Sequence, residues 1–394
     1  MCCGGSGKKI YICGRILTRL HMKLYKYLFF GCLLFASAAS AQKVSIGNYT
    51  FPKDKATYYG DLESGKPNGK GKTTFVNGDT YEGDYVKGKR QGYGVYQFAD
   101  GERYEGDWHQ DRQHGRGVYY FSNNNRYDGL WYTDYQEGQG TMYYFNGDKY
   151  VGNWHEDKRE GEGTYTWANG IYYKGQWRDD KKSGKGVYDW RDGSSYSGDM
   201  LNDMRNGMGT FIYANGDKYV GGWKDDLMHG KGIYIFVNGD KYEGEYQQGE
   251  RTGQGIFTYT DKRKYIGQFK NGLMEGVGTY TWPDGSKYEG SWIADKESGR
   301  GKYQGANGDV YEGEWRDGEM HGEGVLRLSD GTKFKGHFKQ GMKDGKCIEE
   351  TAEGIRFEGS YQNDLKDGPF VEKNRNGAVI RKGIYSKGKL QVVQ

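Results

Sequence analysis

The chain is poor in cysteine once its first 41 residues are set apart. Four of its five cysteines lie in that segment, and Cys347 is the only one that follows it. A single thiol cannot close an internal disulfide, so a disulfide-stapled fold is excluded for residues 42–394.

Aliphatic side chains are scarce as well. Hydrophobic residues make up 35% of the 394 residues, mean hydropathy is −0.99, and 68 residues are glycine. Chains of this composition are often disordered. Here, however, aromatic residues reach 16% and the glycines are periodic. Large rings can replace Leu and Ile in a core, so we expect an ordered chain with an aromatic core.

The chain also lacks an excess of charge of one sign. The formal net charge is +4, but residues 1–41 hold six Lys or Arg and no acid, which leaves 4 − 6 = −2 for the remainder. The apparent pI near 8.4 therefore reflects that first segment. A near-neutral surface of mixed charge gives no electrostatic basis for binding nucleic acid, and it does not favour anionic lipid.

The first 41 residues have the layout of a secretory signal peptide. A basic stretch from Met22 to Lys26 precedes an apolar run from Tyr27 to Phe35, and the small residues Ala39 to Ala41 follow. This order predicts translation from Met22, cleavage after Ala41 and export to the periplasm or the extracellular space. The alternative is an uncleaved segment that anchors the chain in the inner membrane, although the apolar run is short for a membrane span.

A Tyr-x-Gly pattern then recurs every 23 residues, with Phe replacing Tyr in the last two copies. The fourteen central glycines are Gly60, Gly83, Gly106, Gly129, Gly152, Gly175, Gly198, Gly221, Gly244, Gly267, Gly290, Gly313, Gly336 and Gly359. A fixed period of this size predicts an array in which each unit contacts mainly its neighbours. The repeats occupy nearly all of the chain after residue 57, which leaves little sequence for a catalytic domain.

Each unit is predicted to be a β-hairpin. Between Gly92 and Trp108, aromatic residues and glycines alternate with polar ones, and Asp100-Gly101 supplies the turn. An odd loop of three or five residues keeps every ring on one face. We expect Gly94 to lie opposite Trp108, and a polar link over 87–91 to lead to the next hairpin.

These residues resemble the membrane occupation and recognition nexus (MORN) repeat. The match is clearest in Tyr311-Glu312-Gly313-Glu314-Trp315, followed by His321-Gly322-Glu323-Gly324. The resemblance implies an all-β fold, an elongated single-layer antiparallel sheet of about 14 stacked hairpins. It also implies an interaction or tethering module, because in the family's plant lipid kinases and its histone methyltransferase member catalysis sits in a separate domain. We therefore expect a non-catalytic protein.

The pattern decays towards the C-terminus. Cys347 replaces a glycine, and Glu349 and Thr351 stand where rings are expected. We accordingly divide the chain after residue 41 into an N-terminal cap over 42–57, the array over 58–346 and degenerate repeats over 347–394. The last segment is either a polar cap or a dimerisation edge.

No catalytic, cofactor or metal site is expected. The stretch from Gly65 to Thr73 resembles a phosphate-binding loop, but its glycine spacing is one residue too long and no helix follows. His114, His229 and His321 lie in non-adjacent units, and units are ~10 Å apart, too far for one metal.

The ring-bearing face is the candidate binding surface. Its outer rings are either core alone or a ladder that binds a protein partner, including a second copy of the chain. Lipid headgroups or envelope polysaccharide are the alternative ligands, with lipid disfavoured by the charge. The candidate groove residues are Trp108, Trp131, Trp154, Trp177, Trp223, Trp292 and Trp315.

Overall fold

The computed structural model describes residues 44–393, which form one open antiparallel sheet of consecutive hairpins. No helix occurs in this part of the chain, and therefore none that could cross a membrane. The predicted fold class is confirmed. The signal-peptide prediction, including the start at Met22 and cleavage after Ala41, lies outside the described residues.

Two kinds of strand alternate along the sheet. The first kind carries the Tyr-x-Gly pattern or its degenerate C-terminal equivalent, and its members are β2 (Thr57–Glu63), β4 (Thr80–Val86), β6 (Arg103–His109), β8 (Arg126–Tyr132), β10 (Lys149–His155), β12 (Tyr172–Arg178), β14 (Ser195–Leu201), β16 (Lys218–Lys224), β18 (Lys241–Gln247), β20 (Lys264–Lys270), β22 (Lys287–Ile293), β24 (Val310–Arg316), β26 (Lys333–Lys339), β28 (Arg356–Gln362) and β31 (Val379–Ser386).

The second kind carries the Gly-x-Gly pattern or its equivalent, and its members are β1 (Val44–Thr50), β3 (Lys66–Thr74), β5 (Lys89–Gln97), β7 (Arg112–Tyr120), β9 (Tyr135–Tyr143), β11 (Lys158–Thr166), β13 (Lys181–Asp189), β15 (Met204–Ile212), β17 (Leu227–Ile235), β19 (Glu250–Thr258), β21 (Leu273–Thr281), β23 (Lys296–Gln304), β25 (Glu319–Arg327), β27 (Met342–Glu350), β29 (Leu365–Lys366), β30 (Gly368–Lys373) and β32 (Lys389–Val393).

The Asp-Gly corners are odd loops, as parity predicted. The amide of Phe98 donates to Glu102 O at 2.9 Å, and Gly101, with φ of 99°, donates to Phe98 O at 3.2 Å. Three residues therefore separate the closing pair. The positive φ explains the glycine that ends most of these corners.

The predicted pairing of Gly94 with Trp108 is wrong. Gly94 lies opposite Gly106, and Tyr96 lies opposite Tyr104. Because the loop closes on Phe98 and Glu102, every later pair is displaced by two residues from the predicted one. Glycine therefore meets glycine across the hairpin, and the small-to-large packing occurs diagonally instead.

The polar link is also not a separate connection. Lys87 and Gly88, with φ of 52° and 83°, form a two-residue turn, and β5 begins at Lys89. Two left-handed residues match the twist of a tight hairpin. A register shift follows between Gly83 and Tyr85, so the former link residues are bulged strand.

Fully buried tyrosines form the centre of the core. Tyr104 is representative: it is inaccessible to solvent, and its hydroxyl donates to Asp107 O at 2.9 Å. A Cβ added at Gly117 would lie 2.5 Å from Cε2 and Cζ of this ring. The tyrosine ring of the preceding strand therefore packs directly against the second glycine of the Gly-x-Gly pattern, where a side chain would clash with it.

The sheet continues through both predicted ends. Residues predicted as an N-terminal cap form β1, where Gly47 pairs with Gly60. The C-terminal Glu349 takes a ring position and is held by Lys343 at 3.0 Å and by the Tyr361 hydroxyl at 3.0 Å. Burial raises the pKa of the Cys347 thiol to about 11, so this cysteine is protonated at neutral pH.

Candidate functional site

The seven predicted tryptophans lie mostly in the core. Six of them are 3–6% exposed, and only Trp315 is partly accessible. Trp108 is typical: its ring makes edge contacts with Tyr104 at 5.2 Å and with Tyr81 of the preceding unit at 5.3 Å. The role of the seven tryptophans in binding stays a prediction. Because six of them are buried, a ligand could contact only the small exposed part of each of those rings.

Indole nitrogens tie neighbouring units together. Trp177 Nε1 donates to Gly163 O at 3.2 Å, and Trp131 Nε1 donates to Gly117 O at 3.3 Å. Trp154 is the exception, because its Nε1 is buried and finds no acceptor within residues 44–393. Buried polar groups are normally satisfied, so this atom marks an irregular unit.

One regular row of partly exposed rings lies at the three-residue corners, most of which contain Asp-Gly or Asn-Gly. We call them the corner-ring row: Phe51, Phe75, Phe98, Phe121, Tyr144, Trp167, Trp190, Tyr213, Phe236, Tyr259 and Trp282. These rings were not among the predicted site residues, although the sequence shows one aromatic residue at this position in every unit up to Trp282.

Ring contacts join the corner-ring row to the inner rings of the Gly-x-Gly strands. Successive centroids between Phe75 and Phe121 are 4.5–5.8 Å apart. Contacts resume at Tyr144 and continue to Tyr303. The break falls at Met142, which occupies the position that holds Tyr in the two flanking units. The aromatic face is therefore interrupted once between Phe75 and Tyr303.

Carboxylates bridge adjacent corners. Asp217 accepts hydrogen bonds from the Tyr234 hydroxyl at 2.8 Å and the Val237 amide at 2.7 Å. Burial of the Asp217 carboxyl acts to raise its pKa, but these bonds and one from Asn215 outweigh it, so the pKa lies below the usual range. Asp79 and Asp148 make equivalent contacts.

Replacing Asp217 by alanine should destabilise its corner by about 2 kcal/mol, because a charged acceptor is lost and three donors, on Tyr234, Val237 and Asn215, are left without it. Ser194 is the matched control, since it occupies the same position but bonds only within its own corner, to Asp192. Ser194→Ala should change stability by about 0.5 kcal/mol or less. Amide hydrogen exchange at Val237 reports the difference, and equal protection in both variants would contradict the bridging role.

Each of several tryptophans is covered by a long side chain from the start of the preceding Gly-x-Gly strand. Arg159 is representative: its guanidinium carbon lies 4.3 Å from the centroid of Trp177, and Nε and Nη2 donate to Asp180 at 3.0 and 2.8 Å. Arg90 and Arg205 repeat this arrangement over Trp108 and Trp223, at 4.2 and 4.3 Å. Cation–π attraction and burial of the aliphatic stem explain why these rings are covered.

We call these positions the bridging row: Pro67, Arg90, Gln113, Gln136, Arg159, Lys182, Arg205, Met228, Arg251, Met274, Glu297, Met320, Lys343 and Lys366. Seven are cationic. Burial lowers the pKa of Lys182, which lies 5.2 Å above the centroid of Tyr188. In the sequence these residues look like an ordinary polar link.

A cavity of about 720 Å³ opens where Met142 interrupts the inner rings and two glutamines occupy the bridging row. Its walls include the corner rings Phe98, Phe121 and Tyr144, the bridging residues Gln113 and Gln136, and the indoles of Trp131 and Trp154. Asp134 and Asp157 lie on its polar side, together with the ion pair of Arg159 and Asp180. This is the candidate site.

The stretches that resemble catalytic or ligand-binding motifs lie in ordinary repeat positions. Gly65 is part of a turn, and the residues after it form β3. His114, His229 and His321 belong to different strands, and residues 44–393 contain no cluster of acids, His or Cys fit to hold a metal.

The MORN repeat family model matches thirteen consecutive segments: 58–80, 81–103, 104–126, 127–149, 150–172, 173–195, 196–218, 219–241, 242–262, 265–287, 288–310, 311–333 and 334–356. Together they span well over half of the chain. The chain belongs to the MORN repeat family. The last matched segment extends past residue 346, the predicted end of the array, and the fourteenth copy around Gly359 is not matched.

Similar solved structures are distant from this MORN array. The SAS-4 (dCPAP) TCP domain of Drosophila melanogaster is 18% identical over 40% of this chain and 85% of that one, with a TM-score of 0.26. The wild-type TCP10 domain of Danio rerio CPAP is 12% identical over 62% of this chain and 92% of that one, with a TM-score of 0.17. Virginiamycin B lyase from Staphylococcus aureus is 11% identical over 78% of this chain and 96% of that one, with a TM-score of 0.13. No curated protein matches the chain significantly.

Proposed function

We propose that this MORN array is a non-catalytic scaffold, exported from the cell, that holds an extended segment of a protein partner along its aromatic face. The partner is another protein or a second copy of the chain. The observation that carries the proposal is the corner-ring row, which places one partly exposed ring in each unit from Phe51 to Trp282.

Regular spacing makes this row suited to an extended ligand. Two strands per unit place successive corner rings roughly 10 Å apart. Rigid rings supply large contact areas at low entropic cost, and aromatic anchors dominate many protein interfaces. The backbone of the sheet is already paired within the array, so recognition has to come from side chains.

Trp167 and Trp190 test the proposal better than the buried tryptophans. Both are partly exposed corner rings, and they contact each other only through Tyr188 at 5.3 and 4.2 Å. Replacing both by alanine should weaken binding of a captured partner about tenfold or more, which is the range of interface hot spots. Affinity is measured by titrating the purified partner against the wild-type chain and the variant.

Val187 supplies a matched control from the same strand. It precedes Tyr188 and faces the opposite side of the sheet, where it is 38% exposed. Val187→Ala should leave the affinity unchanged. If Trp167→Ala/Trp190→Ala binds every captured partner, and itself, as tightly as the wild type does, the corner-ring row is not the binding surface.

A further inference from the structure

The array contains its own example of what the cavity can bind. In the units on either side, Arg90 and Arg159 stack on an indole and donate to the turn residues Asp111 and Asp180. Both guanidinium groups belong to the chain itself. The repeats therefore show a guanidinium group in the geometry that this fold accommodates.

The two units between them lack that cation. Gln113 and Gln136 occupy the bridging row, and a glutamine side chain is shorter than arginine and uncharged. Their backbone amides still donate to Asp134 and Asp157, each at 2.8 Å, as the arginine amides do in their own units. The hydrogen bond from the backbone amide to the turn aspartate is thus kept, and the cation stacked on the indole is missing.

Several polar groups around the cavity are left without partners. Gln113 and Gln136 are 8% and 5% exposed, and within residues 44–393 their side-chain amides make no hydrogen bond to protein groups. Trp154, 5% exposed, has the unsatisfied indole nitrogen. The Trp154 nitrogen is the buried polar atom without an acceptor, and such an atom is costly. The two glutamine side chains line the cavity, where an external ligand can bond their free amide groups.

The carboxylates of Asp134 and Asp157 indicate that the ligand is positively charged. Asp157 makes no ion pair within 4.0 Å in the described part of the chain, and Asp134 has only Arg112, at 4.0 Å. Met142 adds space, since a tyrosine at this position in the flanking units fills it with a ring. A cation entering the cavity would meet carboxylates, amide oxygens and aromatic rings together.

We propose that the cavity around Gln113 and Gln136 binds two basic side chains of an extended partner peptide, which supply in trans the cations that Arg90 and Arg159 supply in cis. The two vacant positions are one unit apart, roughly 10 Å. In a polyproline II helix, residues i and i+3 project on one side ~9 Å apart, so basic residues three apart fit the spacing. This inference rests on the proposed function and specifies the chemistry of the bound segment.

The test uses two dye-labelled peptides, one with the repeating unit Arg-Pro-Pro and one with Gln-Pro-Pro, titrated against the full chain by fluorescence anisotropy. The arginine peptide should bind at least about tenfold tighter, because each cation gains a carboxylate and a ring. Its affinity should fall with added salt. Equal affinity of the two peptides would overturn the cation site while leaving the scaffold function standing.

Two variants make the test specific. Gln113→Arg/Gln136→Arg fills the vacancies from within and should reduce binding of the arginine peptide at least about tenfold without lowering the melting temperature. Asp134→Asn/Asp157→Asn should reduce it similarly while keeping the side-chain size. If the filled variant binds the arginine peptide as tightly as the wild type does, or if the wild type does not bind it, the inference fails. Neither result bears on Trp167 and Trp190, whose partner affinity is measured separately.

Discussion

Replacing Gly163 by valine should destabilise the array by about 3 kcal/mol or more, the upper end of the cost of overpacking a core. A Cβ at this position would lie 2.5 Å from Cε2 and Cζ of Tyr150, whose ring is fully buried. The ring cannot move aside, because Trp154 and Trp177 hold it with edge contacts at 5.2 and 5.4 Å. Valine favours strands in general, so any loss must come from the clash.

Gly47→Val is the matched control. Gly47 occupies the equivalent position in β1, but no tyrosine strand precedes it among the described residues, and a Cβ there would meet only the Leu62 methyl, at 3.1 Å. A flexible methyl can shift, so this variant should lose less than about 1 kcal/mol.

Amide hydrogen exchange is the appropriate measurement, because repeat arrays open locally and a single unfolding free energy is poorly defined for them. Protection should fall in β10 to β12 for Gly163→Val and remain normal in distant units. Uniform loss along the whole sheet, or equal effects of the two valines, would argue against ring-on-glycine packing as the reason for the Gly-x-Gly pattern.

The sequence was sufficient for the hairpins and for which face holds the rings. Period-two alternation and the Asp-Gly corners are local signals, and the odd loop around Asp100 followed from them. The register of Gly94 did not follow, because it depends on which pair closes the loop. Once Phe98 closes on Glu102, glycine pairs with glycine.

The candidate site was harder to predict, because it is built between units. A residue such as Arg159 is polar in the sequence, yet its stem and guanidinium cover Trp177, a residue of the following strand. Without that contact, the sequence left open whether the indoles are core alone or a binding ladder, and the bridging row resembled a solvated link. The substitutions at Gln113, Gln136 and Met142 were visible in the sequence, but only the pairing of strands brings them to one cavity.

The array should unfold steeply as the pH rises above about 10. Twelve tyrosines of the core are less than 2% exposed. Burial raises the pKa of Tyr104 far above its usual value, and raises that of Tyr58 and Tyr242 to about 12. Neutral tyrosine is thus favoured in the folded state. Stability is complete below the unfolded pKa near 10 and is lost as the pH rises through and beyond it, since only the unfolded chain releases these protons.

The expected slope is large. Each tyrosine that stays neutral in the folded array contributes about 1.4 kcal/mol of lost stability per pH unit above 10. A dozen acting together would remove on the order of 16 kcal/mol per unit, which exceeds the 5–15 kcal/mol of a typical domain. Even partial cooperation between units therefore gives a sharp transition. Tyrosinate absorbance and the circular dichroism of the sheet, followed in one alkaline titration, should change together.

Tyr150→Phe/Tyr173→Phe distinguishes this cause from general alkaline damage. Phenylalanine already fills the equivalent position at Phe334 and Phe357, so the ring fits. The variant loses hydroxyl bonds to Asn153 O and Gln176 O, at 3.0 and 3.1 Å, and should be about 1 kcal/mol less stable per bond at neutral pH. Above pH 10, however, it should lose stability less steeply than the wild type, because two ionisable groups are gone. A gradual rise of tyrosinate absorbance with an intact sheet would mean that the core tyrosines ionise without unfolding, which their burial forbids.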